Sequence, residues 1–110
     1  MTTEAHRSLD AKVARKVMGW TIKTDLFAPD GPWVNTGEYL ERLPEFSTDI
    51  AAAWEVLEKL VADGAVVQLH GYGGMWYAAT DRAPGGTSHQ FGETSAPLAI
   101  VRMALAAVKA

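Results

Sequence analysis

The chain turns and begins a helix at Pro44-Glu45-Phe46-Ser47-Thr48-Asp49-Ile50-Ala51-Ala52-Ala53-Trp54. Ser47 and Thr48 both suit the position before a helix, where a side-chain hydroxyl accepts a hydrogen bond from a free backbone N–H group. Asp49 follows in the predicted first turn, where its negative charge meets the positive end of the helix dipole. We therefore predict a helix over residues 48–62, with Trp54 as the anchor of the core.

Apolar side chains along this helix repeat at helical spacing. The repeat follows the positions i, i+4, i+7 and i+11, with two further apolar residues beside it: Ile50, Trp54, Leu57 and Val61, then Ala53 and Leu60. This spacing is typical of a helix that buries one face. Glu55, Glu58 and Lys59 are predicted to face water, and Asp63-Gly64 to end the helix.

Two other helices are predicted on similar grounds. The first covers residues 8–18 and ends at Gly19, which suits the left-handed backbone that often follows a helix. The last begins at residue 95 or 96 and ends at residue 108, with Pro97 in its first turn, where no backbone N–H is needed. Residues 38–43 are predicted to add a single helical turn.

Short strands are predicted between the helices. Residues 20–23 alternate apolar and polar side chains, and Trp33-Val34 are predicted to pair with them. Residues 65–70 and 75–80 are predicted to form a β-hairpin, with a glycine-rich loop longer than two residues between them. Residues 88–93 are predicted to form a third strand.

The element order α-β(β)-α-β-β-α predicts an α+β fold. We expect one domain over residues 1–110, in a three-layer α/β/α-type sandwich whose small antiparallel sheet is flanked by three helices. A chain of 110 residues can bury a core without metals or disulfides, and this one has no cysteine.

Charge is unevenly distributed, although the net charge is only −3. Residues 24–63 contain nine acidic residues, opposed only by Arg42 and Lys59, whereas basic residues gather near the N-terminus. An acidic middle argues against general nucleic-acid binding, because phosphates require a basic surface. The N-terminus is polar and no apolar run is long enough to span a bilayer, so we expect no membrane association and a cytoplasmic location.

No catalytic or metal-binding pattern stands out. The histidines His6, His70 and His89 are not at metal-ligand spacing, and no metal or cofactor is predicted. Asp49 and Glu93 could form an acid–base pair only if the fold brings them together. The glycine-rich residues 71–74 lack the Lys-Ser/Thr of a phosphate-binding loop and precede a predicted strand rather than a helix, so a hairpin turn explains them better.

Two groups of residues are candidate ligand contacts. Ser47, Thr48 and Asp49 form the first group, since a helix start presents hydroxyls and amides to an anion. Helix capping alone also explains these three residues. The second group combines aromatic residues expected to be exposed with the loop beside them: Trp33, His70, Tyr72 and Gly73.

Three stretches together resemble the phage ABA sandwich domain family. They are Val17-Met18-Gly19-Trp20, then Ser47 to Val56, and finally Gly92-Glu93-Thr94 with Pro97-Leu98-Ala99-Ile100. The similarity covers most of the chain and is weakest across residues 23–43 and 83–89. It implies a small bacteriophage or prophage protein with a helix–sheet–helix sandwich, and it carries over no catalytic residues.

These observations favour a non-enzymatic phage accessory protein that acts by binding. One hypothesis is that its acidic middle binds a host or phage protein and so modulates host processes or host defence. An alternative hypothesis is that it sequesters a small nucleotide-like signalling molecule. The least favoured hypothesis is that it is a hydrolase that acts on a small substrate. A homodimer, formed through a free strand edge or the apolar last helix, is a further expectation.

Overall fold

The structure is a computed structural model that describes residues 3–23, 33–35, 37 and 40–108. Three helices alternate with two groups of three strands. In chain order the elements are α1 (Thr3–Lys16), β1 (Thr21–Lys23), β2 (Trp33–Asn35), β3 (Leu40–Arg42), α2 (Ile50–Ala62), β4 (Val67–Tyr72), β5 (Met75–Thr80), β6 (Phe91–Glu93) and α3 (Ala96–Ala107). A short 3₁₀ turn, Gly86–Ser88, lies between β5 and β6.

The strands form two antiparallel sheets rather than the single sheet that was predicted. The sheet orders are β1-β2-β3 and β4-β5-β6. The helices pack with these sheets around a common core, which confirms the α+β class and the sandwich-like arrangement. In the second sheet Ala78 of β5 pairs with Leu69 of β4 and Phe91 of β6, and all three side chains belong to the core or pack against it.

The first sheet contains the main departure in secondary structure. The pairing of residues 21–23 with residues 33–35 is confirmed. The helical turn predicted at residues 38–43 is wrong, because Leu40–Arg42 is a strand whose Leu40 pairs with Asn35 and whose Arg42 pairs with Trp33. Hydrogen bonds between β3 and β2 outweigh the weak local preference for a helix. Pro29-Asp30-Gly31-Pro32 indicates a turn, because proline fixes φ and glycine accepts positive φ, but these residues lie outside the described part of the chain.

The hairpin between β4 and β5 is tighter than predicted. Gly71 and Tyr72 belong to β4, and only Gly73 and Gly74 connect the strands. Both glycines have positive φ, +60° and +83°. A two-residue turn with two left-handed positions matches the right-handed twist of the strands, and glycine adopts it without strain.

The helices contribute most of the core. The first helix begins at Thr3, five positions earlier than predicted, and the left-handed Gly19 follows it as expected, with φ +75°. The third helix agrees closely with the prediction: Ser95 caps its N-terminus by accepting a hydrogen bond from the Leu98 N–H, and Pro97 lies in its first turn. Its buried side chains include Ile100 and Met103, which are fully inaccessible.

A buried carboxylate ties α1 to the turn before α2. Asp10 is only 1% exposed. Its Oδ1 accepts a hydrogen bond of 2.8 Å from the Ser47 N–H, and its Oδ2 lies 3.1 Å from Arg7 Nη1. Arg7 also donates from Nη2 to the Leu43 carbonyl over 3.1 Å. Two side chains of one helix thus hold both ends of the turn from residue 43 to residue 47.

Replacing Asp10 with alanine should lower the free energy of unfolding by about 2–4 kcal/mol. The substitution leaves the Ser47 N–H buried without its acceptor and removes the carboxylate that faces Arg7. Urea unfolding followed by circular dichroism measures the change. The control is Asp63→Ala, which removes an exposed carboxylate 3.1 Å from Lys59 and should have little effect. Equal losses in the two variants would contradict a structural role for the Asp10 contacts.

Candidate functional site

The outer side of α2 displays three large apolar side chains, which we call the outer stripe. Ile50, Trp54 and Val61 are 49%, 52% and 54% exposed. The prediction that Trp54 anchors the core is therefore wrong. The buried side of the helix carries Ala53, Val56, Leu57 and Leu60 instead.

Close packing between helices explains which side of α2 is buried. The helix packs against α3, and the two helices bury small residues, Ala53 on α2 and Ala99 and Ala104 on α3. Small residues allow two helices to approach closely, whereas the ring of Trp54 at such a position would hold them apart. The apolar pattern of α2 is wider than the surface that the core covers, and the stripe is the uncovered part.

Acidic side chains lie beside the outer stripe. Glu55 and Glu58 are exposed, and neither is ion-paired with a residue in the described part of the chain. Lys59, the one basic residue within α2, instead pairs with Asp63. Glu58 lies one helical turn after Trp54, so the two side chains are neighbours on the helix surface. This spacing was visible in the sequence and is the signal that would have placed Trp54 at the edge of the core.

The three residues at the start of α2 have different roles. Asp49 is the N-cap, and its Oδ1 accepts a 3.0 Å hydrogen bond from the Ala51 N–H. The prediction that Ser47 or Thr48 caps the helix is therefore wrong. Ser47 is buried, its Oγ donates to the His6 carbonyl over 3.3 Å, and it lies 3.2 Å from His6 Nδ1. These contacts hold the turn against α1.

Ser47 and Thr48 do share a cleft, of about 420 Å³. It is lined by His6, Ser47, Thr48, Glu93, Thr94, Ser95 and Leu98. The acid–base pair considered from the sequence is not available there, because Glu93 faces Arg102 Nε at 2.6 Å and Asp49 serves as the cap of α2. The cleft offers hydroxyls, an imidazole and a carboxylate, and its lining contains no Lys or Arg.

The other predicted ligand residues lie elsewhere. His70 is exposed and stacks on Tyr77, with ring centroids 5.5 Å apart. Tyr72, at 78% exposure, and Gly73 line a shallow depression of about 430 Å³ at the tip of the hairpin. Trp33, which was expected to be exposed, is half-buried because it lies in β2 of the first sheet.

The seven predicted ligand residues are thus divided among several places. The cleft with Ser47 and Thr48 shares no lining residue with the depression at the hairpin tip. Trp76 is exposed and lines the same depression as Tyr72.

Two further properties concern the described residues as a whole. No group of three or more His, Asp or Glu side chains in the described ranges is arranged to hold a metal ion. No helix among these residues is both long and apolar enough to cross a bilayer.

Substitutions at the start of α2 should show that Asp49, and not Thr48, caps the helix. Asp49→Ala should lower the free energy of unfolding by about 1 kcal/mol, because the Ala51 N–H loses its acceptor. Asp49→Asn should preserve most of the stability, since asparagine caps nearly as well. Thr48→Ala is the matched control and should change the stability by less than about 0.5 kcal/mol. A larger loss at Thr48 than at Asp49 in urea unfolding would reverse the assignment.

The chain is similar to a known protein family and to a solved structure. The model of the phage ABA sandwich domain matches residues 11–105. A crystal structure of a phage protein from Bacillus cereus ATCC 14579 is similar at 28% identity and a TM-score of 0.69, over 94% of this chain and 87% of that one. No curated protein sequence matches the chain. The match over most of its length confirms the resemblance seen in the sequence, and the chain belongs to the phage ABA sandwich domain family of bacteriophage proteins.

Proposed function

We propose that this phage protein acts without catalysis, by binding a partner protein through the outer stripe of α2 and the acids beside it. The proposal rests on the half-exposed Trp54, which lies between Ile50 and Val61 on one face of the helix. Tryptophan is among the residues that contribute most to protein–protein binding energy. The partner is a host or phage protein in the cytoplasm of the infected bacterium.

The arrangement of the stripe supports a binding role. Single exposed apolar side chains are common on soluble proteins, whereas here three large ones lie on one face of one helix. Moving each side chain from half exposed to buried contributes on the order of 1 kcal/mol, so the stripe can contribute a few kcal/mol to association. A helix face of this kind binds in a groove, with its anchors at helical spacing.

Charge defines the partner more closely. Glu55 and Glu58 lack ion-pair partners among the described residues, so an approaching surface that carries lysine or arginine would be favoured. We therefore infer that the stripe fits an apolar groove bordered by basic side chains. This conclusion moves the acidic interface expected from the sequence onto one helix.

The nucleotide-like ligand is less well supported than a protein partner. Its predicted contacts are divided between the cleft, the hairpin and the first sheet. The cleft with Ser47 and Thr48 is bordered by the carboxylate of Glu93, which disfavours a phosphate. The residues of the protein-binding role all lie on one helix instead.

Capture from infected-cell lysate, followed by binding of the purified partner, tests the proposal. Immobilised wild-type protein and Trp54→Ala are compared by quantitative mass spectrometry, and the captured protein is then purified and titrated by calorimetry. Trp54→Ala should weaken its affinity at least about tenfold, the effect of removing a central aromatic anchor. Glu58→Lys should weaken it too, and added salt should reduce the difference between Glu58→Lys and wild type.

Tyr72→Ala is the matched control. It removes another exposed aromatic side chain, at the hairpin tip and outside α2. Its affinity for the purified partner should equal that of the wild type. Trp54→Ala should lower the free energy of unfolding by about 1 kcal/mol, because about half of the ring is buried, and the variant should remain folded. A partner that is lost with Tyr72→Ala and kept with Trp54→Ala would overturn the proposal.

A further inference from the structure

A second surface of the chain has the properties inferred for the partner. It is a groove of about 330 Å³ between α1, α3 and β6, which we call the basic groove. Its lining combines apolar and basic residues: Leu9, Lys12, Lys16, Phe91, Arg102, Leu105 and Ala106. None of these residues belongs to α2. The groove is therefore separate from the outer stripe.

The apolar part of the groove is accessible from solvent. Leu9, Phe91 and Leu105 are only partly buried and pack against the core from its outside. They provide a floor on which an apolar side chain of a partner can rest. A cavity of about 330 Å³ has room for an indole ring, which is the largest side chain of the outer stripe.

The basic part of the groove lacks partners for its lysines. Lys12 and Lys16 are exposed one helical turn apart, and neither forms an ion pair with any residue that the structure describes. Arg102 differs, since it faces Glu93. Two like charges at this spacing repel each other, and the same holds for Glu55 and Glu58 on α2. A surface of opposite charge would reduce the repulsion within each pair.

We propose that the partner of the outer stripe is a second copy of this chain. Trp54 of one copy rests on the apolar floor of the basic groove of the next, and Glu55 and Glu58 face Lys12 and Lys16. This inference depends on the proposed function, because it assigns the same α2 surface to a specific partner. The two surfaces of one chain match in both apolar character and charge.

The symmetry of such an interface follows from its two halves. The outer stripe and the basic groove share no residue, so each copy can use both surfaces at once. The contact is head-to-tail rather than two-fold, and it generates a closed ring or an open chain. The proposed association uses α1, α2 and α3, whereas the dimer predicted from the sequence uses a strand edge or α3.

Sedimentation velocity over about a hundredfold range of protein concentration tests the proposal. The wild type should form species larger than a dimer as the concentration rises, or a single ring. Trp54→Ala lacks the stripe, and the double variant Lys12→Glu/Lys16→Glu lacks the groove charges. Each of the two should sediment as a monomer on its own. All altered residues are exposed, and circular dichroism with urea unfolding checks that each variant is folded.

Mixing the two variants distinguishes a head-to-tail contact from a two-fold one. The mixture contains one intact stripe and one intact groove, so it should form a one-to-one dimer that cannot grow. A four-residue exchange, Glu55→Lys and Glu58→Lys with Lys12→Glu and Lys16→Glu, should restore larger species. If the double variant Lys12→Glu/Lys16→Glu still dimerises on its own, the contact is two-fold and runs through the stripe, and this result would overturn the proposal.

A wild-type protein that remains a monomer throughout would also overturn the self-association. This result leaves the proposed function to be judged separately, by the purified partner and its dependence on Trp54. If Trp54→Ala weakens binding of another protein while the wild type stays monomeric, only the identity of the partner is wrong. If neither association depends on Trp54, the proposed function fails as well.

Discussion

The fold depends on the carboxylate of Asp10, which is buried between α1 and the turn that leads into α2. Its hydrogen bond to the Ser47 N–H joins residues 37 positions apart, and Arg7 secures the other end of the turn at Leu43. Between these contacts the fully buried Phe46 lies 6.0 Å, centroid to centroid, from the ring of Trp20. The turn therefore has little freedom, and α2 must begin just after it.

A fixed start determines which side of α2 faces the core. Each residue turns the helix by about 100°, so the direction of every later side chain follows from the position of the first turn. With Asp49 as the cap, Val56 and Leu60 point into the core and Trp54 points beyond its edge. The exposed stripe is thus a consequence of the contacts around Asp10, even though Asp10 does not touch it.

Local patterns were enough to predict α3 and strand β5, whose bounds agree closely with the expectation. Both elements have strong signals within their own sequence, such as the cap and Pro97 of α3. The face of α2 could not be predicted in the same way, because periodicity gives the width of an apolar stripe but not the part that a neighbour covers. Strand β3 depends on its pairing with β2, whose residues lie five to nine positions earlier. The role of Ser47 depends on His6, which lies 41 positions away. The exposure of Tyr72 was predicted because it depends on a local glycine-rich turn.

The outer stripe lies beside unpaired acidic side chains, whereas the basic groove carries unpaired lysines. This complementary charge would limit how the protein can behave in a cell. An isolated copy leaves an apolar stripe in water and keeps two pairs of like charges close together, and both features disfavour the free monomer. The proposed head-to-tail association would cover one stripe and one groove at each contact but would leave an unoccupied surface at each end of an open chain. A host or phage protein that binds the stripe would compete with the groove of the next copy for the same residues. By linkage, the more tightly that protein binds, the more the assembly must dissociate, so self-association and partner binding would regulate each other through Trp54.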